Sequence, residues 1–133
     1  MKRVLFLCTH NSARSQMAEA YLNHYYGDRY DVYSAGIHPP EINPFVVKVM
    51  AEEGIDLSGA RSKSVEEFLE KEFDLVVTVC DGAREGCPVF PIGELIHHSF
   101  KDPSSLSGSE EDASIQVREI RDEIKNWVIE FFR

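Results

Sequence analysis

The sequence predicts an α/β fold of three layers, with helices on both sides of a four-stranded parallel sheet. Two apolar runs, RVLFLC and FDLVVTVC, are nearly continuous, as strands covered on both faces require. Segments of helical periodicity alternate with the strands, the pattern of parallel strands joined by crossover helices. Nothing in the chain repeats or reads as a linker, so residues 1–133 are expected to form one domain.

The first strand is expected over Arg3–Cys8. SQMAEAYLNHYY follows, with Met17, Ala18, Tyr21, Leu22 and Tyr25 at helical spacing and a stop at Gly27. Tyr30–Gly36 reads as a second strand, and the prolines of HPPEINP make a loop. The next helix takes Asn43 as N-cap, Pro44 at its first position and Gly54 beyond its end. Ser64 and Glu67 stand at capping-box spacing before another helical segment, SVEEFLEKEF. Phe73–Cys80 is the third strand, DGAREGCP a glycine-rich connection, and HHSFKDPSSLSGS holds at most a short fourth strand. A long final helix should bury Ile115, Val117, Ile120, Ile124, Trp127, Val128 and Phe131.

Charge and cysteine usage narrow the function. A formal net charge of -9 argues against a nucleic-acid binder, and any anionic substrate must be held by local groups rather than by the global field. No run is long enough for a membrane span, and the apolar start of MKRVLFLCTHN is too short for a secretory leader. A reducing cytoplasm is therefore expected, where the three thiols Cys8, Cys80 and Cys87 serve chemistry more readily than cross-linking.

In such folds ligands bind beyond the carboxyl ends of the strands, and Cys8 and Cys80 both end one. After Cys8 comes a strand–loop–helix passage, which aims backbone N–H groups and a helix amino end at one point. That field favours thiolate over thiol at Cys8. Arg14 adds a planar fork for two oxygens of an oxyanion, Ser15 a hydroxyl for the Cys8 sulfur, and Asn11 a tolerance of left-handed backbone. The plainer alternative makes Cys8 a buried residue ending a core strand; the C-x5-R spacing weighs against it. His10 stands in the loop either as added positive charge or as a solvent-facing spectator.

CTHNSARS, from Cys8 to Ser15, resembles the C-x5-R-[ST] phosphate-binding loop of the low-molecular-weight protein tyrosine phosphatase family. SQMAEAYL, YSAG and the DP of KDPSS resemble that family too, so the likeness spans the chain. With Cys80 and Cys87 added, the resemblance is to its thioredoxin-coupled arsenate reductase branch. It implies an oxyanion site made of Thr9, His10, Asn11, Ser12, Ala13, Arg14 and Ser15, and catalysis by Cys8, Cys80, Cys87, Arg14 and Asp102. Asp102 would protonate the leaving oxygen; on composition alone it is a turn aspartate before proline. Arsenate would be the substrate, phosphate or sulfate its competitors, and thioredoxin the reductant. No cofactor, metal, nucleic acid or membrane is implied, and a monomer is expected.

Some reductases of this branch hold potassium, and Asn11, Glu19 and Ser34 match such a site. Lys63 stands where a further carboxylate would be, so an ammonium replaces the cation. The better default for Glu19 is an ordinary first-helix carboxylate. A zinc site from Cys80, Cys87, His97 and His98 has the wrong spacing. A phosphatase of the same fold, and a silent oxyanion-binding or redox-sensing module, are the alternatives to a reductase.

Overall fold

Lys2–Cys8 (β1) pairs in parallel with Tyr30–Gly36 (β2) on one side and with Phe73–Thr78 (β3) on the other, and Ile92–His97 (β4) closes the sheet in the order β2-β1-β3-β4. The computed structural model describes residues 2–8, 13–36, 42, 44–80, 92–101 and 110–133. Arg14–Tyr26 forms α1, Pro44–Ala51 α2 and Glu110–Phe132 α3.

Side-chain alternation explains the unbroken apolar runs. Phe6 meets the Phe132 ring of α3, with centroids 5.9 Å apart, and Ser34, its register partner, bonds Glu19 of α1. Tyr33 points the other way, onto Phe68 of a 3-10 turn at Val65–Phe68. Leu5, Leu7 and Val76 share the Tyr33 face and are fully buried, so the sheet is covered on both sides.

Helix α2 ends as its glycine demands. Gly54 takes φ +75, the Gly54 N–H reaches Ala51 O at 3.0 Å, and the Ile55 N–H reaches Met50 O at 3.1 Å, which is a Schellman termination. Pro44 opens α2 as expected, and the proposed N-cap Asn43 lies outside the described residues.

Four expectations need correction. The Ser64–Glu67 capping box forms, but it caps only the 3-10 turn, because the chain must reach Phe73 to begin β3. The fourth strand is Ile92–His97, upstream of the window expected and sharing only His97 with it. Its Gly93, Glu94 and Leu95 are exposed on an edge strand, so no apolar run marks it; a Cβ at Gly93 would come within 2.7 Å of Asp74 O. The α3 stripe buries Val117, Ile120, Ile124, Val128 and Phe132, while Ile115 and Phe131 are exposed. Strand β3 stops at Thr78, two residues before its expected end at Cys80.

Candidate active site

Two thiols stand at the carboxyl edge of the sheet. Cys8 is the last residue of β1 and Cys80 follows β3; both are buried and they are not joined to each other. Regular pairing of β3 stops at Thr78, two residues short of the end expected, but Val79 N–H still donates to Leu7 O at 3.0 Å. Since Leu7 is the register partner of Thr78, Cys80 lies one residue beyond the position opposite Cys8. Continued regularly, a 4.8 Å strand spacing and a 3.3 Å rise would put the two Cα atoms about 6 Å apart. That lies within the span a disulfide bridges. A strand continued regularly would turn Cys80 to the face opposite Cys8; instead the chain bends there.

Helix α1 begins at Arg14, six residues past Cys8. Its N-cap is Ala13, a side chain with no oxygen to occupy the first-turn N–H groups. Arg14 and Ser15 are buried, although such polar residues ordinarily open a helix in solvent. Arg14 Nη1 donates to the main-chain oxygen of Phe100 at 3.0 Å, a contact 86 residues apart in sequence. Gln16 is also buried and ties α1 to the far side of the site through Arg61 O at 2.8 Å. Neither anchor was legible locally. Phe100 lies in an irregular stretch, and nothing around Gln16 sets it apart from a surface helical residue.

Beside the thiol edge, Glu19 is only 20% exposed and accepts from Ser34 Oγ at 3.0 Å, with Lys63 Nζ 3.7 Å away. Burial pushes its carboxyl above the ordinary range, opposed by the Lys63 charge and the Ser34 hydroxyl. Glu19 is therefore not an ordinary helix carboxylate, and an ammonium does stand beside it. Lys63 is held in turn by its own backbone, whose oxygen accepts at 2.7 Å from the N–H of Gly36, Cys8's register partner.

The two histidines part company. His97 Nδ1 lies 2.7 Å from Thr78 Oγ1, while the His98 ring stacks on Trp127 with centroids 5.0 Å apart. Among the described residues no three His, Cys, Asp or Glu side chains converge as metal ligands. Thr9, His10, Asn11, Ser12, Cys87 and Asp102 lie outside the described residues.

A sequence model of the family described as low molecular weight phosphotyrosine protein phosphatase matches residues 3–133. An arsenate reductase of Halalkalibacterium halodurans is 46% identical over 124 residues, covering 92% of this chain and 89% of that protein. One from Bacillus subtilis is 44% identical over 131 residues, covering 98% and 94%. Among solved structures, the thioredoxin-dependent arsenate reductase of Corynebacterium glutamicum is similar with a TM-score of 0.72 and 33% identity, covering 99% of this chain and 60% of that one. A low molecular weight protein tyrosine phosphatase from T. tengcongensis superposes with a TM-score of 0.82 at 26% identity, covering 99% and 98%. Backbone likeness alone thus does not separate a reductase from a phosphatase.

Proposed function

The chain belongs to the low molecular weight phosphotyrosine protein phosphatase family, and from that premise we propose that it reduces arsenate to arsenite through Cys8, Cys80 and Cys87, with thioredoxin as the reductant. The observation that carries this reading is the second buried thiol, Cys80, one residue out of register with Cys8 on the neighbouring strand. Hydrolysis needs one nucleophile; reduction needs a second thiol within disulfide reach.

Arsenate enters the loop of residues 9–15, held by its amides, the α1 amino end and Arg14. Cys8 thiolate bonds to arsenic and an oxygen leaves as water, taking its proton from Asp102. Cys80 then attacks the Cys8 sulfur: an S–S bond forms, the S–As bond breaks, and its electron pair stays on arsenic, which departs as arsenite. Cys87 attacks Cys80 and frees the Cys8 thiolate, leaving a Cys80–Cys87 disulfide. A dithiol on thioredoxin reduces that disulfide. Per cycle one arsenate and two thiols become arsenite, water and a disulfide. A monomer working in the cytoplasm fits this chemistry, and no described helix is long and apolar enough to cross a membrane.

The test couples arsenate to NADPH oxidation through thioredoxin and its reductase, alongside aryl-phosphate hydrolysis. Wild type should turn over arsenate, and Cys87→Ser should stop after about one equivalent, with Cys8 and Cys80 joined. Robust aryl-phosphate hydrolysis without arsenate turnover would make the protein a phosphatase. Absence of both activities in the reduced protein would leave a silent oxyanion-binding module.

A further inference from the structure

The reaction proposed above uses no residue of α3, yet α3 reaches the thiol edge through a ring cluster. Phe100 is buried and engages both of its main-chain groups. Its N–H donates to Val79 O at 3.0 Å and its oxygen accepts from Arg14 Nη1 at 3.0 Å. With the Val79-to-Leu7 bond, one chain of hydrogen bonds runs from the residue before Cys8, through the residue before Cys80, to the Arg14 guanidinium. Asp102 follows two residues after Phe100.

The 98–100 stretch belongs to no strand, so it can orient a guanidinium only as well as it is itself held. Rings hold it. Trp127, the chain's single tryptophan, stacks on His98 at 25° and meets the Phe100 ring at 6.0 Å and 77°. His98 and Phe100 also contact each other, at 4.7 Å. His98 N–H adds one backbone tether, to Thr78 O at 2.9 Å.

We propose that Trp127 is a positioning residue for oxyanion capture: it seats His98 and Phe100, fixing the Phe100 carbonyl and through it the Arg14 fork. This rests on the reading of Arg14 as an oxyanion ligand. Without Trp127 the Phe100 carbonyl loses its seat, and the guanidinium, still carried on α1, binds the anion at a higher ordering cost. The loss therefore falls on binding rather than on the sulfur chemistry.

Phosphate, a non-reacting analogue of arsenate, is the probe, titrated calorimetrically into the reduced full-length protein. Trp127→Leu should weaken phosphate about three- to tenfold, the cost of ordering one long side chain on binding, and raise the KM for arsenate in parallel with little change in kcat. Trp127→Phe, which keeps a ring in place, should stay within about twofold of wild type. Val128→Ala, one position along α3 and fully buried, should lower the melting temperature and leave phosphate affinity unchanged. In an Arg14→Lys background, Trp127→Leu should change affinity little, because the two residues act as one unit.

Additive effects of Trp127→Leu and Arg14→Lys overturn the proposal, as does an equal loss of affinity in Val128→Ala. If Trp127→Leu does not fold, His98→Ala replaces it, and an unchanged phosphate affinity there is equally fatal. A wild type that binds no phosphate defeats the oxyanion reading of the site itself; a wild type that binds, with variants that bind alike, defeats only the role of Trp127.

Discussion

Arg14 and Arg121 are both buried, and each donates Nη1 to a main-chain carbonyl: Arg14 to Phe100 at 3.0 Å, Arg121 to Val49 at 2.9 Å. Their settings differ. Arg121 also reaches Glu52 at 3.0 Å and Asp122 at 2.9 Å, and Glu52 is gripped again by Arg118 at 2.8 Å. Its carbonyl partner is one of the last of α2, the kind of group a helix end leaves unsatisfied. Arg121 thereby staples α2 to α3. Although burial works against its charge, the Asp122 carboxylate and its neighbours hold the guanidinium above its ordinary value. Arg14, at the amino end of α1 and a loop's length from Cys8, donates to a neutral carbonyl on an irregular segment. An arginine surrounded by carboxylates is committed to the fold. Arg14, at a helix amino end and bonded to a main-chain carbonyl, is the one that the proposed function assigns to the oxyanion.

Exchanging the two roles would break this comparison. Arg14→Lys should weaken phosphate and arsenate binding by about ten- to a hundredfold, since an ammonium cannot replace a bidentate fork, with little change in the urea midpoint. Arg121→Met should do the converse. It should lower stability by about 1 to 3 kcal/mol, by leaving the buried Val49 carbonyl without its partner, and leave phosphate affinity intact. Isothermal titration and urea unfolding on both variants check it; a loss of affinity in Arg121→Met comparable with that in Arg14→Lys would erase the distinction.

That contrast is also where local sequence stops being informative. Strands β1, β2 and β3 announce themselves because both sheet faces are buried, and Gly54 and the Ser64–Glu67 box act on their own neighbours. Strand β4 is half-exposed, so Glu94 and Gly93 break its pattern while pairing with β3 still holds it. At the site, Cys8 and Arg14 are legible because loop spacing is a local property. What holds Arg14 is not, since Phe100 supplies a backbone atom any residue carries, and only the tertiary path of the chain brings it there. The Phe132-for-Phe131 shift on α3 has the same origin: both are apolar and adjacent, and the Phe6 and Tyr30 rings select one.

A second variant sharpens the comparison on the thiol side. Glu19, raised in the fold by burial, favours the folded state most below its ordinary value of 4.5, and that advantage fades as pH rises through the higher folded value. Lys63 offsets part of the cost once the carboxyl ionises. Lys63→Met should therefore raise the Glu19 value further and lower stability by about 1 to 2 kcal/mol at pH 7. The deficit should vanish in acid, where Glu19 is protonated in both proteins. Urea midpoints from pH 4 to 8 give the curve, and a deficit independent of pH would remove the charge from the explanation.

The smallest effect belongs to the outer flank, and its sign is opposite. Glu52 is lowered from 4.5 to about 2, first by its hydrogen bonds to Arg118 and further by Arg121. Lys125 likewise lowers Glu53, at 2.8 Å. A carboxyl depressed in the fold contributes stability that is present above its ordinary value and lost as pH falls through the folded one. Wild type should therefore lose stability between about pH 4.5 and 2, and Glu52→Gln should flatten that limb without altering the limb that Glu19 governs. Because Glu52 and Arg118 are each about a third exposed, salt should narrow the gap between wild type and Glu52→Gln. The same salt should leave the Lys63→Met deficit nearly unchanged, since Glu19 and Lys63 are better shielded from solvent. Parallel acid limbs in wild type and Glu52→Gln, or equal salt sensitivity at the two pairs, would show that the flank and the thiol edge are not electrostatically distinct.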